Sequence, residues 1–156
     1  MKKLHLSFVA ILFALLAMVS FTACSSSDDD APSAENIKTN IVGMWQTTHI
    51  SGWTYDDTED ENLIKINRDI DTEEADRVLF KGDGTCYRYY YYNGGWKLSY
   101  GNYTYDVSGN QIIIYYKTAV EQIYTVLSLK GDVVVLQYCM DEGEAYKTTL
   151  TCKRVY

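Results

Sequence analysis

Few side chains in this sequence have chemistry to offer. His49 is the only histidine beyond the N-terminal apolar run, and the cysteines that follow Cys24 are Cys86, Cys139 and Cys152. A working nucleophile needs a base within hydrogen-bond reach and a third group that orients the base, and no spacing here pairs a thiol with the imidazole. Carboxylates number 21. Ten of them crowd residues 54–76, from Asp56 to Asp76, where a charge run reads as a solvated face and not as a preorganised acid and base. Within that run Asp69-Ile70-Asp71-Thr72-Glu73 lacks the glycine and the closing glutamate of a calcium loop, and the wide cysteine spacing fits no zinc pattern. G-x-S-x-G, H-E-x-x-H and phosphate-cradling glycine motifs are all missing. The expectation is a protein that is not an enzyme and uses no cofactor or metal, with its cysteines packed as small hydrophobes.

The chain of 156 residues is 47% hydrophobic with a net charge of −7, enough for one domain with a core and the wrong sign for tracking phosphates. No nucleic-acid partner is expected. Lys2 and Lys3 precede an apolar run from Leu6 to Phe21, then Thr22, Ala23 and Cys24, which reads as a signal peptide over residues 1–23. Phe21-Thr22-Ala23-Cys24 resembles the lipobox of bacterial lipoproteins. That resemblance implies a diacylglyceryl group on the Cys24 thiol and a membrane partner reached through that lipid. The run Ser25, Ser26, Ser27, Asp28, Asp29, Asp30 is similar to the export signal of Bacteroidetes-type surface lipoproteins, which implies lipid anchoring in the outer membrane and display at the cell surface. The alternative is a periplasm-facing lipoprotein. Residues 24–39 are polar enough to form a flexible lipidated stalk, and residues 40–156 form the folded domain.

In that domain apolar and polar residues alternate, Tyr, Val, Ile and Thr dominate, and turn signals recur about every ten residues, the pattern of an all-β fold. Eight strands are expected: Val42 to Trp53, Arg77 to Lys81, Thr85 to Tyr92, Trp96 to Val107, Gln111 to Lys117, Gln122 to Lys130, Asp132 to Met140 and Tyr146 to Val155. Short joints such as Asn93-Gly94-Gly95 favour sequential antiparallel pairing, and closure into an eight-stranded up-and-down barrel removes exposed edges. A β-sandwich is the alternative. Residues 54–76 form the one long connection, with Leu63-Ile64-Lys65-Ile66 apolar enough to dock as a lid over the barrel mouth.

Gly43-Met44-Trp45 at the start of the first strand and Arg154 on the last strand together resemble the lipocalins. The resemblance implies that Arg154 stacks on the Trp45 ring as a structural plug of the closed end, an arrangement stabilised by about 0.5–2 kcal/mol of cation–π attraction. If Trp45 points inward, strand alternation carries Thr47, His49, Ser51 and Trp53 inward as well, and Arg154 carries Cys152, Leu150, Thr148 and Tyr146. A bulge inverts the assignment beyond it. His49, Trp53 and Tyr146 are thereby the candidate ligand contacts. The 15 tyrosines, 14 of them from Tyr87 onward, each combine an apolar face with a polar tip. The expected function is lipid-anchored, non-catalytic binding of a small amphipathic ligand. The alternative is a surface interaction module, an inhibitor or adhesin that grips a protein or glycan through exposed Tyr and the acidic loop.

Overall fold

A computed structural model describes residues 31–55, 63–139 and 146–155. The signal peptide, Cys24 and the Ser25 to Asp30 run lie outside the described residues, as do residues 56–62 of the acidic connection and the turn at 141–144.

The chain order is helix α1 (Ala34–Asn40), then β1 (Gly43–Tyr55), β2 (Leu63–Asp69), β3 (Asp76–Phe80), β4 (Thr85–Tyr92), β5 (Gly95–Leu98), β6 (Tyr103–Ser108), β7 (Gln111–Tyr116), β8 (Ala119–Lys130), β9 (Val133–Cys139) and β10 (Lys147–Val155). Every pairing is antiparallel, and β10 returns to pair with β1 from Met44↔Val155 to Gly52↔Thr148, so the sheet closes on itself. The ten segments fill eight strand positions. Both β3 and β2 lie along the same side of β1, at residues 43–46 and 49–55 respectively, and so form one strand position interrupted at residues 70–75. In the same way β6 and β5 both pair with β4 and are one position interrupted at residues 99–102. The barrel is therefore closed, eight-stranded and antiparallel.

Three details differ from the sequence reading. Trp96 to Val107 is broken, because the chain leaves the ladder at 99–102, where Gly101 has φ +144° and a Cβ would collide with the Tyr103 ring. The stretch Leu63–Asp69 is no lid: its backbone groups are taken by β1, from Tyr55↔Leu63 to His49↔Asp69. Residues 34–39, placed in the stalk by composition, lie in α1 and belong to the folded unit. Ser33 caps that helix by accepting from the Asn36 amide at 3.3 Å, an arrangement favoured at helix starts. Inside it, Ile37 is fully buried, as is Ile41 at its end, and each such burial contributes about 1.5–3 kcal/mol.

Strand alternation explains the core. Val107, Ile112, Ile114, Val126, Val134 and Leu136 are buried together with Phe80, Cys86 and Cys152, so the unbroken Ile112-Ile113-Ile114 run resolves into two inward residues and one outward. The Tyr92-Asn93-Gly94-Gly95 joint holds both central residues at positive φ, +49° and +77°, as a two-residue hairpin of the type I′ kind requires.

The end of the barrel beside α1 is closed by one knot of residues. The Trp45 ring is 2% exposed, its Nε1–H donates to the Ile41 carbonyl at 2.6 Å, and the Arg154 guanidinium lies 4.3 Å from its centroid. Arg154 also donates to the Val42 and Asn40 carbonyls at 2.5 and 2.7 Å and pairs with Asp132 at 3.2 Å. Gly43 has φ +138°, and a Cβ there would collide with Nη1 of Arg154. Trp45→Ala is expected to lower stability by about 3–5 kcal/mol, read from chemical denaturation. An unaltered unfolding midpoint would remove this residue from the foundations of the fold.

Candidate functional site

A cavity of about 50 Å³ lies inside the barrel between Trp45, Thr47, Asp76, Val78, Phe80, Arg88, Tyr124, Val134, Leu136, Leu150 and Cys152. Register puts these residues together. Trp45 stands opposite Val78 on β3, Val78 opposite Arg88 on β4, Thr47 opposite Cys152 on β10, and Cys152 and Leu150 opposite Val134 and Leu136 on β9. The walls are mostly apolar. Among the lining residues Arg88 is the sole cation and Asp76 the sole anion.

Burial and charge set the state of these groups. Protein packed around Asp76 raises its carboxyl pKa, and the Arg88 guanidinium pulls it back down. The residue as a whole is nevertheless exposed to water, which marks it as the rim of the cavity. Burial also pushes the Tyr124 phenol up to about 12, so it remains a neutral donor. The Cys86 and Cys152 thiols are each pushed to about 11 by burial. Thiols that stay protonated at neutral pH are poor nucleophiles. The Cys152 sulfur rests 3.7 Å from the Thr47 hydroxyl.

The candidate ligand contacts expected from strand alternation stand elsewhere, for a local reason. Between Thr47↔Cys152 and His49↔Thr151 the register of β1 slips by one residue. Thr48 is the extra residue, its hydroxyl donating to the Thr151 carbonyl at 3.1 Å and its carbonyl accepting from the Ile70 amide at 3.0 Å. Beyond it the inward positions become Ile50, opposite Leu150, and Gly52, opposite Thr148. His49, Ser51 and Trp53 consequently turn to the outer face. There His49 bonds Asp69 through Nδ1 at 2.8 Å and Asn67 through Nε2 at 2.9 Å, and the Asp69 hydrogen bond raises its pKa. Trp53 meets Tyr146 edge-on, with centroids 5.1 Å apart, and Lys65 Nζ sits 5.3 Å from the Trp53 ring. The structure thus brings Trp53 and Tyr146 together, sets His49 in a separate polar cluster, and leaves all three out of the cavity lining.

Thr47, Leu150 and Cys152 are inward as alternation requires. The charged pair Asp76 and Arg88, together with Tyr124, is what sequence reasoning overlooks. Arg88 lies two residues from Cys86 in a strand of tyrosines, and an inward Cys86 puts Arg88 on the same face. Asp76 is hidden among loop acids, although it opens the strand whose next alternate residues are Val78 and Phe80. A second aromatic group lies on the outer face, where Arg77 stacks 3.9 Å from the Trp96 centroid and Tyr91 packs edge-on against Trp96 at 5.5 Å.

A family model described as a lipocalin-like domain matches residues 41–136. The chain belongs to that family, whose barrel is typically a binding fold without catalysis. No curated protein and no solved structure matches the chain.

A carboxyl whose folded pKa exceeds its unfolded value costs nothing where both forms are protonated, and its cost grows as pH rises from the unfolded value through the folded one. Asp76→Asn is therefore expected to raise the melting temperature at pH 7, with the gain fading as pH falls toward and below 3.8. A gain that persisted unchanged at pH 3 would remove ionisation as its cause.

Proposed function

We propose that this chain is a non-catalytic, lipid-anchored lipoprotein of the cell envelope whose barrel holds a small amphipathic molecule. The carrying observation is the cavity, in which apolar walls meet four polar groups, Thr47, Asp76, Arg88 and Tyr124. Small-molecule sites have this character, apolar surface for affinity and a few placed polar groups for orientation. At about 50 Å³ the space is far below the roughly 300–1,000 Å³ of a drug-sized pocket. It suits a short molecule, or the end of a longer one that emerges past Asp76.

The anchoring part of the proposal rests on sequence. A basic start, an apolar run, a small-residue site and Cys24 coincide, and the Ser25 to Asp30 run follows at once. A surface location at the outer membrane is the reading this combination supports. Cells fed an alkyne-bearing fatty acid are expected to label the wild-type chain and not Cys24→Ala, and equal labelling of both would overturn the anchor.

For the ligand, native mass spectrometry of the full chain extracted from its own membranes is the direct test, and a co-purifying small molecule is the expected result. A clean unliganded mass, with no small molecule recovered on extraction, would shift the weight to a second reading. That reading has one specific observation behind it. The Arg77, Tyr91 and Trp96 stack shares the outer face with exposed Leu98, and such aromatic and Arg clusters suit recognition of a protein or glycan.

A further inference from the structure

One strand of the sheet keeps an uncovered edge. Strand β3 lies between β1 and β4, whereas β2 is paired with β1 alone, from Tyr55↔Leu63 to His49↔Asp69. Among the described residues no strand takes the other side of β2, and no backbone hydrogen bond from a turn or loop reaches residues 63–69. An edge of this kind presents a row of N–H and C=O groups that templates pairing with another chain. Along it Leu63 and Ile66 are half-buried and the other residues are exposed.

A lysine on an edge strand ordinarily keeps other strands away. Here an acid on the same strand offsets it. Lys65, Asn67 and Asp69 share the outer face, opposite Trp53, Ser51 and His49. The Asp69 side chain is 93% exposed, and its bond to His49 uses Oδ1, which leaves Oδ2 for a second cation. Lys65 lies above the Trp53 ring, and among the described residues it pairs with no carboxylate.

We propose that β2 is a self-association edge, on which two copies of this chain pair their β2 strands antiparallel about a two-fold axis at Asn67. Charge sets that register. About this axis Lys65 of each copy stands opposite Asp69 of the other, Asn67 opposite Asn67, and Ile66 opposite Arg68, so both outer-face charges meet their opposites. An axis at Lys65 or Asp69 sets like charges against each other, and an axis at Ile66 or Arg68 makes no opposite-charge pair within the strand. Opposite charges across a ladder stabilise it and like charges destabilise it, and the two-fold repeats each contact. The edge is only seven residues long, so the dimer is weak and reversible. This association is independent of any ligand in the barrel.

Cysteine substitution in the purified full chain reads the register under a mild oxidant. The exposed native thiol Cys139 is first removed as Cys139→Ser, and cross-linking is counted above that parent. Across the axis the two Asn67 Cα atoms stand within the roughly 4.4–6.8 Å that a disulfide spans, whereas the two Lys65 Cα atoms are about 13 Å apart. Asn67→Cys is therefore expected to give a disulfide-linked dimer, Lys65→Cys to stay monomeric, and the combined Lys65→Cys and Asp69→Cys variant to cross-link again. Without cross-linking, Lys65→Glu is expected to weaken dimerisation about tenfold in sedimentation, and adding Asp69→Lys to restore it, which supplies the test if a cysteine variant does not fold. Equal cross-linking at positions 65 and 67, or none from Asn67→Cys and the combined variant, would overturn the proposal. So would capture of a different protein by Asn67→Cys in intact cells in place of a second copy.

Discussion

The closure of the barrel depends on how Arg154 satisfies the end where the chain enters it. The Asn40 and Val42 carbonyls lie where α1 has ended and β1 is beginning, so neither has a helical or ladder partner assured. Arg154 takes both with one guanidinium, through charge-assisted hydrogen bonds, while the same group covers the Trp45 indole. Asp132, in the turn before β9, holds the other side of the guanidinium. A single side chain on the last strand thereby ties together the first strand, the helix ahead of it and a turn two strands away. Lys would offer the charge without the flat fork, and any residue with a Cβ at position 43 would push the fork away.

Fixing Trp45 also sets the phase of everything beside it. From an inward Trp45 follow inward Val78, then Arg88, then the Cys152 and Val134 pair, purely by opposition across antiparallel ladders. The phase is kept along β1 only as far as Thr47. One extra residue, Thr48, then reverses it, and the reversal carries a histidine and a tryptophan from the inner face to the outer one. A bulge of this kind costs one unpaired ladder position, and here the Thr151 carbonyl and the Ile70 amide compensate for it. The same place on β1 is where its neighbouring strand position is interrupted between β2 and β3. The irregularities on the two strands face each other and relieve each other.

The result is a barrel interior with little free space and an uneven distribution of charge. Apolar residues fill the plugged end, and among the residues lining the cavity one cation, Arg88, and one anion, Asp76, stand above them. Tyrosines spread to both faces. Tyr124 lines the cavity, Tyr105 reaches the Lys81 carbonyl with its hydroxyl at 2.9 Å, and Tyr91 packs on Trp96 outside. The tyrosine richness therefore has no single purpose: it reflects strand surfaces on which a ring packs against cross-strand neighbours and its hydroxyl finds water or a backbone carbonyl.

The sequence alone determined the features that follow from short-range chemistry. Alternation of Val, Ile, Thr and Tyr between glycine-bearing turns is enough to specify antiparallel strands, and eight strand positions with no edge to spare specify closure. The pairing of Gly43 and Trp45 with Arg154 is legible because each residue type has a steric or electronic reason to be there. Tertiary structure decided what depends on long-range register. Whether α1 joins the domain turns on Ile37 finding a pocket that only the closed barrel provides. Whether Leu63–Asp69 is a flap or a strand turns on the free edge of β1. Which face His49, Trp53 and Arg88 occupy turns on a one-residue slip at Thr48 and on the partners of β3 and β4. Because strand side chains repeat with a period of two, that slip is invisible in the local pattern and yet exchanges the whole inner and outer surface beyond it.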